Sequence, residues 1–246
     1  MTTRNVRLLI EYEGTNYSGW QWQKNTKTVQ ETLTDAIRKV LQEDVKIHGA
    51  GRTDAGVHAL GQVANFETHS KIPAKQLLRA INSYLPHDIT IKEVSDIEDS
   101  FHAQYSAKSK IYQYTLLNDW IRTSLNRNFC HVYGFPLDMS KMIMAARCLI
   151  GTHDFTSFTT KAFADKNRIR TIKNLEIRKE GKYIYFLVEA DGFLYKMVRT
   201  IVGTLLEVGR ERMDVSHIKN LLMTKKRKLA GPVVPAKGLC LKEVKY

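Results

Sequence analysis

The feature that most limits the folds open to this chain is its hydrophobic periodicity, which switches from strand-like to helical and back in the same order twice. Val6 to Tyr12 alternates apolar and polar positions as a half-buried strand does, and a polar, Gly-containing loop from Glu13 to Lys27 follows. Thr28, with Glu31 three residues on, forms a capping-box pattern, and Val29, Leu33, Ile37, Val40 and Leu41 then recur at helical spacing. A short strand near Val45 to His48, a Gly-rich loop, a strand from Gly61 to Glu67, a helix from Ala74 to Leu85 and a strand from Ile89 to Val94 complete one β-α-β-β-α-β set. The second set comprises a strand near Ile111 to Leu117, a helix Met139 to Ile150, strands Thr171 to Arg178 and Tyr183 to Glu189, and a helix Phe193 to Val208. A further helix, Val215 to Met223 with Asp214 as cap, precedes a closing strand, Leu239 to Val244.

Two split β-α-β sets in tandem predict an α+β fold of two ferredoxin-like halves, residues 1–104 and 105–246. Their mostly antiparallel sheet is expected to leave a central active-site cleft. No sequence identity relates the halves. Asn118 to Pro136 and Gly151 to Arg170 read as two long loops, and loops of that length in a compact protein usually bind something.

Charge narrows the partners. Against 25 Asp and Glu stand 38 Lys and Arg, a formal net charge of +13, which favours a polyanion, with anionic membranes and acidic proteins as competitors. The 3 cysteines, Cys130, Cys148 and Cys240, lie far apart and suggest neither a zinc knuckle nor a disulfide framework. The eight histidines show no ligand-type spacing with cysteine or carboxylate partners, so no metal site is expected. No signal-peptide core and no apolar 18-mer occurs, so a cytoplasmic protein with no membrane partner is expected. Neither a P-loop nor a dinucleotide-binding glycine pattern is found, which argues against nucleotide hydrolysis and hydride transfer.

The densest polar cluster is Gly51-Arg52-Thr53-Asp54-Ala55-Gly56-Val57-His58-Ala59, a glycine-bracketed loop between two strands. An ordinary Asx-turn capped by Asp54 is one reading. The other is catalytic, because a guanidinium such as that of Arg52 favours the charged form of a nearby carboxylate and suits it to act as nucleophile or base. Tyr112 and Tyr114 share one face of a strand, where they serve either as core or as a platform for an unpaired base. Arg199 falls on the border between the apolar stripe and the polar face of its helix, so it either snorkels to solvent or reaches inward. Basic residues gather at Lys161, Lys166, Arg168 and Arg170 and again at Lys225 to Lys228, as phosphate contacts or as solvated cations. Trp20 and Trp22 suit packing over a sheet edge as well as base stacking.

The run from Gly51 to Ala59 resembles the signature of the TruA family of transfer RNA pseudouridine synthases. The likeness extends through Gly19-Trp20-Gln21, Thr28-Val29-Gln30, Tyr112-Gln113-Tyr114, His153-Asp154-Phe155, Met197-Val198-Arg199, Ile201-Val202-Gly203 and Pro235-Ala236-Lys237-Gly238-Leu239, in order along nearly the whole chain. Asn118 to Pro136 and Ala162 to Asn167 carry no firm family pattern. The resemblance implies Asp54 as the catalytic aspartate, Arg199 as its basic partner and Tyr112 as the residue that stacks on the target base. It further implies that Arg52 contacts the RNA and that Leu239 lines the pocket. The implied activity is isomerisation of uridine to pseudouridine at positions 38, 39 and 40 of the transfer RNA anticodon arm, by a homodimer and without a cofactor, since neither electrons nor water enter the reaction.

Two other classes compete. A non-catalytic pair of RNA-recognition domains would carry a Gly-aromatic pattern that Lys110 to Leu116 lacks, and it would not require an aspartate in the Gly51 to Gly56 loop. A hydrolase of the same glycosidic bond would ordinarily use two carboxylates where this loop offers one.

Overall fold

In a computed structural model the described residues are 3–160 and 167–246, and they form two compact units. The first holds residues 1–108 together with 241–246; the second holds residues 109–240. The chain end, expected with the second half, thus clusters with the first. Close main-chain approach holds it there: a Cβ on Gly61 would lie 2.4 Å from Lys242 O, and Lys108 N donates to Lys245 O at 2.8 Å.

The first unit runs β1 (Arg4–Tyr12), α1 (Val29–Leu41), β2 (His48–Gly49), β3 (His58–Thr68), α2 (Ala74–Tyr84) and β4 (Ile89–Ile97). Its antiparallel sheet has the order β4-β1-β3, and β2 pairs with β3. That is the order of a split β-α-β unit used twice. α1 starts where the capping box predicts, Thr28 Oγ1 accepting from Glu31 N at 3.3 Å. It buries Val29, Leu33, Ala36 and Ile37, and α2 buries Leu77 and Ile81, each large side chain contributing roughly 1.5–3 kcal/mol. β3 is buried at nine of its eleven positions, His58, Gln62, Asn65 and Thr68 among them. Between Ile10 and Tyr12 the β1–β3 register shifts, Ile10 facing Gln62 but Tyr12 facing Ala59, so β3 carries a bulge at the strand end nearest the Gly51–Gly56 loop.

The second unit contains β5 (Ser109–Leu117), β6 (His131–Val132), α3 (Met139–Arg147), β7 (Gly151–Asp154), β8 (Ile169–Glu180), β9 (Tyr183–Ala190), α4 (Met197–Gly209) and α5 (His217–Thr224), with β10 (Leu239–Lys245) beginning at its end. Antiparallel pairing gives β5-β9-β8-β7, while β6 joins β5 in parallel. α4 is the core helix, buried on nearly every side, with Thr200 and Thr204 returning their hydroxyls to Lys196 O and Thr200 O at 3.0 and 2.8 Å.

Several boundaries differ from expectation. α4 begins at Met197, four residues later than Phe193, because Lys196 sits at φ 58, a left-handed conformation that an α-helix cannot continue through. α5 begins at His217, and Asp214 acts one turn earlier, its Oδ1 accepting from Ser216 N at 2.8 Å. The segment read as one loop from Gly151 to Arg170 opens as β7, whose residues pair with Ile169–Ile172 through the antiparallel ladder. Four residues are too few for an alternation to show, so that strand exists only through its partner. Lys161 and Lys166 lie outside the described residues.

Candidate active site

The loop from Gly51 to Val57 is tied down at almost every residue. Gln62 Nε2 donates to Gly51 O at 2.9 Å. The Tyr12 and Thr53 hydroxyls meet at 2.8 Å in a buried contact, and Trp20 N donates to Thr53 O at 3.1 Å. Gly56, at φ +76, allows the turn in which Val57 N donates to Asp54 O at 3.1 Å, and its own N–H reaches Tyr17 O at 3.3 Å. Next along the chain, His58 Nδ1 accepts from Gly14 N at 3.0 Å. The 14–20 segment can lie this close only because position 19 is glycine, since a Cβ there would come 2.5 Å from Thr53 O at a φ of +95°. Asp54 is thereby held, half-buried, at the head of β3, with the exposed Arg52 two residues before it.

The other residues of interest belong to the second unit. Tyr112, on β5, is 6% exposed and meets Phe193 edge-on, ring centroids 5.1 Å apart. Tyr114, two residues on, is wholly buried, its hydroxyl donating to Pro235 O at 3.0 Å, and burial pushes its phenol well above the ordinary range. Both tyrosines are buried, Tyr114 completely. Arg199 lies in the first turn of α4, half-buried, with Nε donating to Val234 O at 2.8 Å while its own carbonyl accepts from Val234 N at 3.4 Å. Its head is thus fixed against the segment that leads into Leu239, which is 6% exposed.

Trp20 is core as well, since a Cβ on Gly49 would lie 2.5 Å from its ring, whereas Trp22 stands 55% exposed. Of the basic residues, Arg170 turns back on its own chain, to Asn167 O and Ile169 O, and Lys225 pairs with Asp154 at 2.9 Å. Lys228, with Arg212 and His217, lines an open cavity of about 470 Å³. Among the described residues no group of three or more His, Cys, Asp or Glu is arranged to hold a metal ion, and no helix is long and apolar enough to cross a membrane. Gln62, Tyr12 and Phe193 were not singled out from sequence, and Gln62 carries no distinct signal there, since its strand also holds His58, Asn65 and Thr68.

The sequence profile of the tRNA pseudouridine synthases matches residues 8–106 and 145–246, which include Asp54, Arg199 and Leu239. The chain belongs to the tRNA pseudouridine synthase family. It is 49% identical to tRNA pseudouridine synthase A of a Thermoanaerobacter species, 47% to that of Acetivibrio thermocellus and 44% to that of Clostridium acetobutylicum. Each alignment covers 99% of this chain and 100% of the relative. The TruA resemblance drawn from Gly51 to Ala59 thus extends over the whole sequence, and the protein is an isomerase that acts on transfer RNA. Asn118 to Pro136 fall between the two blocks that the family profile matches, within the stretch that the full-length relatives also cover.

Proposed function

We propose that this synthase isomerises uridines 38, 39 and 40 of the transfer RNA anticodon arm, with Asp54 as its essential carboxylate. The observation that carries the assignment of Asp54 is the number of tethers on its loop. The main-chain groups of Gly51, Thr53, Asp54 and Gly56 are each held by a hydrogen bond, to the Gln62 side chain of β3, to the 14–20 segment or within the loop itself, an arrangement suited to a group whose position matters. In the reaction the N1–C1′ bond breaks and a C5–C1′ bond forms; C5 gives up a proton and N1 takes one, so no oxidant, reductant or water is consumed. Asp54 acts at the sugar, Arg199 is its cationic partner, and Tyr112 provides the surface on which the detached uracil turns. Arg52, exposed beside Asp54, meets the RNA backbone near the extruded nucleotide, whose unstacking costs a few kcal/mol that such contacts offset. Leu239 lines the apolar side of the base pocket.

The same reading takes the synthase to be a cytoplasmic homodimer that uses no cofactor. Support for the dimer comes from the 118–136 segment, which exposes Trp120 at 76%, Ile121 at 72% and Leu125 at 89%, an apolar surface of the kind that association buries.

The test is pseudouridine mapping, by carbodiimide modification and primer extension, of an unmodified transfer RNA with uridines at 38, 39 and 40. Asp54→Asn is run in parallel. Product at those positions from the parent protein alone is expected. Near-normal turnover by Asp54→Asn would remove the aspartate from the mechanism, and product at other uridines would reject the anticodon-arm assignment.

A further inference from the structure

We infer that Gln62 is a positioning residue for the reaction: its side-chain amide sets the catalytic geometry of the Asp54 loop and does little for stability or RNA affinity. The inference rests on the reading of Asp54 given above. Gln62 is wholly buried in β3, faces Ile10 of β1, and adjoins the bulge at which the β1–β3 register changes. Its Nε2 donates to Gly51 O at 2.9 Å, three residues ahead of Asp54. Its Oε1 is also buried and has no hydrogen-bond partner among the described residues. The orientation is fixed, because turning the amide over would set Oε1 against the Gly51 carbonyl and leave both without a donor.

An amide with only one end satisfied is a poor choice for a buried strand on grounds of stability alone. A side chain of similar length and no polar atoms would avoid the desolvated oxygen. What the amide supplies in its place is a donor fixed in direction, from a central strand to the first residue of the loop. The Tyr12–Thr53 and Trp20–Thr53 contacts hold the loop from the other side, and Ala50 N donates to Val63 O at 2.7 Å just ahead of it, so what the Gln62 bond adds is the orientation of the Gly51 peptide at that end of the turn that carries Asp54. A loop released at that end still binds RNA through its exposed groups. It no longer holds the carboxylate within the fraction of an ångström that bond exchange at C1′ requires.

Two substitutions separate these effects. Gln62→Met removes the donor and the stranded acceptor together at nearly constant volume. It is expected to melt within about 2 °C of the parent protein and to bind transfer RNA within about twofold, but to lose kcat by roughly 10–100-fold. Gln62→Glu places a carboxyl where burial favours the protonated form, whose O–H can still donate to Gly51 O. Its kcat relative to the parent is therefore highest at low pH and falls as pH rises and the proton leaves, while the Gln62→Met ratio stays flat. Full kcat in Gln62→Met, a loss of activity matched by loss of fold, or a flat Gln62→Glu ratio overturns the inference. Gln62→Met decides the matter alone if Gln62→Glu does not fold. Asp54→Asn in the same assay distinguishes the two failures: an inactive Asp54→Asn beside a fully active Gln62→Met rejects the role of Gln62 only, and an active Asp54→Asn rejects the reading beneath it.

Discussion

Gly203→Ala sets two opposed effects against each other in the helix that carries Arg199. Alanine is the better helix former by about 1 kcal/mol, so propensity alone predicts stabilisation of α4. The tertiary structure predicts the reverse. A Cβ on Gly203 would lie 1.8 Å from Pro232 O and 2.9 Å from its carbonyl carbon, whereas real Cβ contacts essentially never fall under 3.0 Å. Gly231, next to Pro232 in the same segment, is also close, its own would-be Cβ only 2.6 Å from Gly203 O, so the segment cannot slide away without moving both glycines. Separating the two backbones strains or breaks the buried bond from Gly231 N to Thr204 Oγ1, 3.0 Å, and that from Arg199 Nε to Val234 O, 2.8 Å. Overpacking at about 1–3 kcal/mol and two hydrogen bonds at about 0.5–1.5 kcal/mol each outweigh the propensity gain and leave a net loss of roughly 1–5 kcal/mol. For a chain of this length that corresponds to a fall in Tm of roughly 2–20 °C, measurable by circular dichroism or calorimetry. Gly181→Ala is the control. Its φ is +58° and no atom lies within 4 Å of the added methyl, so it should lose only about 1–2 kcal/mol from the left-handed backbone. A Gly203→Ala protein as stable as the parent, or a loss no greater than that of Gly181→Ala, would refute the close-contact argument.

Tyr112→Phe should keep transfer RNA affinity, since the ring and its edge-on contact with Phe193 remain; a drop in kcat of tenfold or more would assign chemistry to the hydroxyl, and unchanged kcat would leave stacking as its whole contribution. Transfer RNA affinity should fall about tenfold or more between roughly 50 and 200 mM salt if the excess of basic groups contacts phosphate, and a flat salt dependence in filter binding would exclude that account. Burial, reinforced by the charge of Lys237, lowers the His131 imidazole from 6.5 to about 4. The unfolded chain therefore takes up a proton that the folded one refuses, and the stability present above pH 6.5 declines as pH falls toward 4. Denaturant titrations of His131→Phe should show a shallower decline over that window, and an identical slope would locate the acid sensitivity elsewhere.

How much of this was legible beforehand depended on the range of the interaction concerned. α1 follows from a local signal, a capping box and an apolar stripe, and it begins at Val29 as that signal requires. β1 alternates because only one of its faces is deeply buried. β7 was invisible, since four residues carry no usable period and its hydrogen bonds are made to a strand fifteen and more residues away. The start of α4 was misplaced because Phe193 and Leu194 continue the apolar stripe, and only the observed backbone shows Lys196 in the left-handed region. Tyr112 and Tyr114 are equivalent on a strand diagram, and both are buried, Tyr114 completely and with its hydroxyl on the Pro235 carbonyl.

By itself the sequence determined the two-fold use of a β-α-β-β-α-β order, the basic character of the protein, and the family, through runs of residues such as Gly51 to Ala59 whose identity is read directly. These are properties of composition, short-range periodicity and motif, and each is contained in a stretch of adjacent residues. Only the tertiary structure decided what those residues touch: that Gln62 and Tyr12 hold the Asp54 loop, that Arg199 is fastened to Val234, and that residues 241–246 return to the first unit. Each of these joins residues far apart along the chain, and a hydrogen bond or a close glycine contact across that distance depends on the path of the backbone between them, which no local pattern encodes.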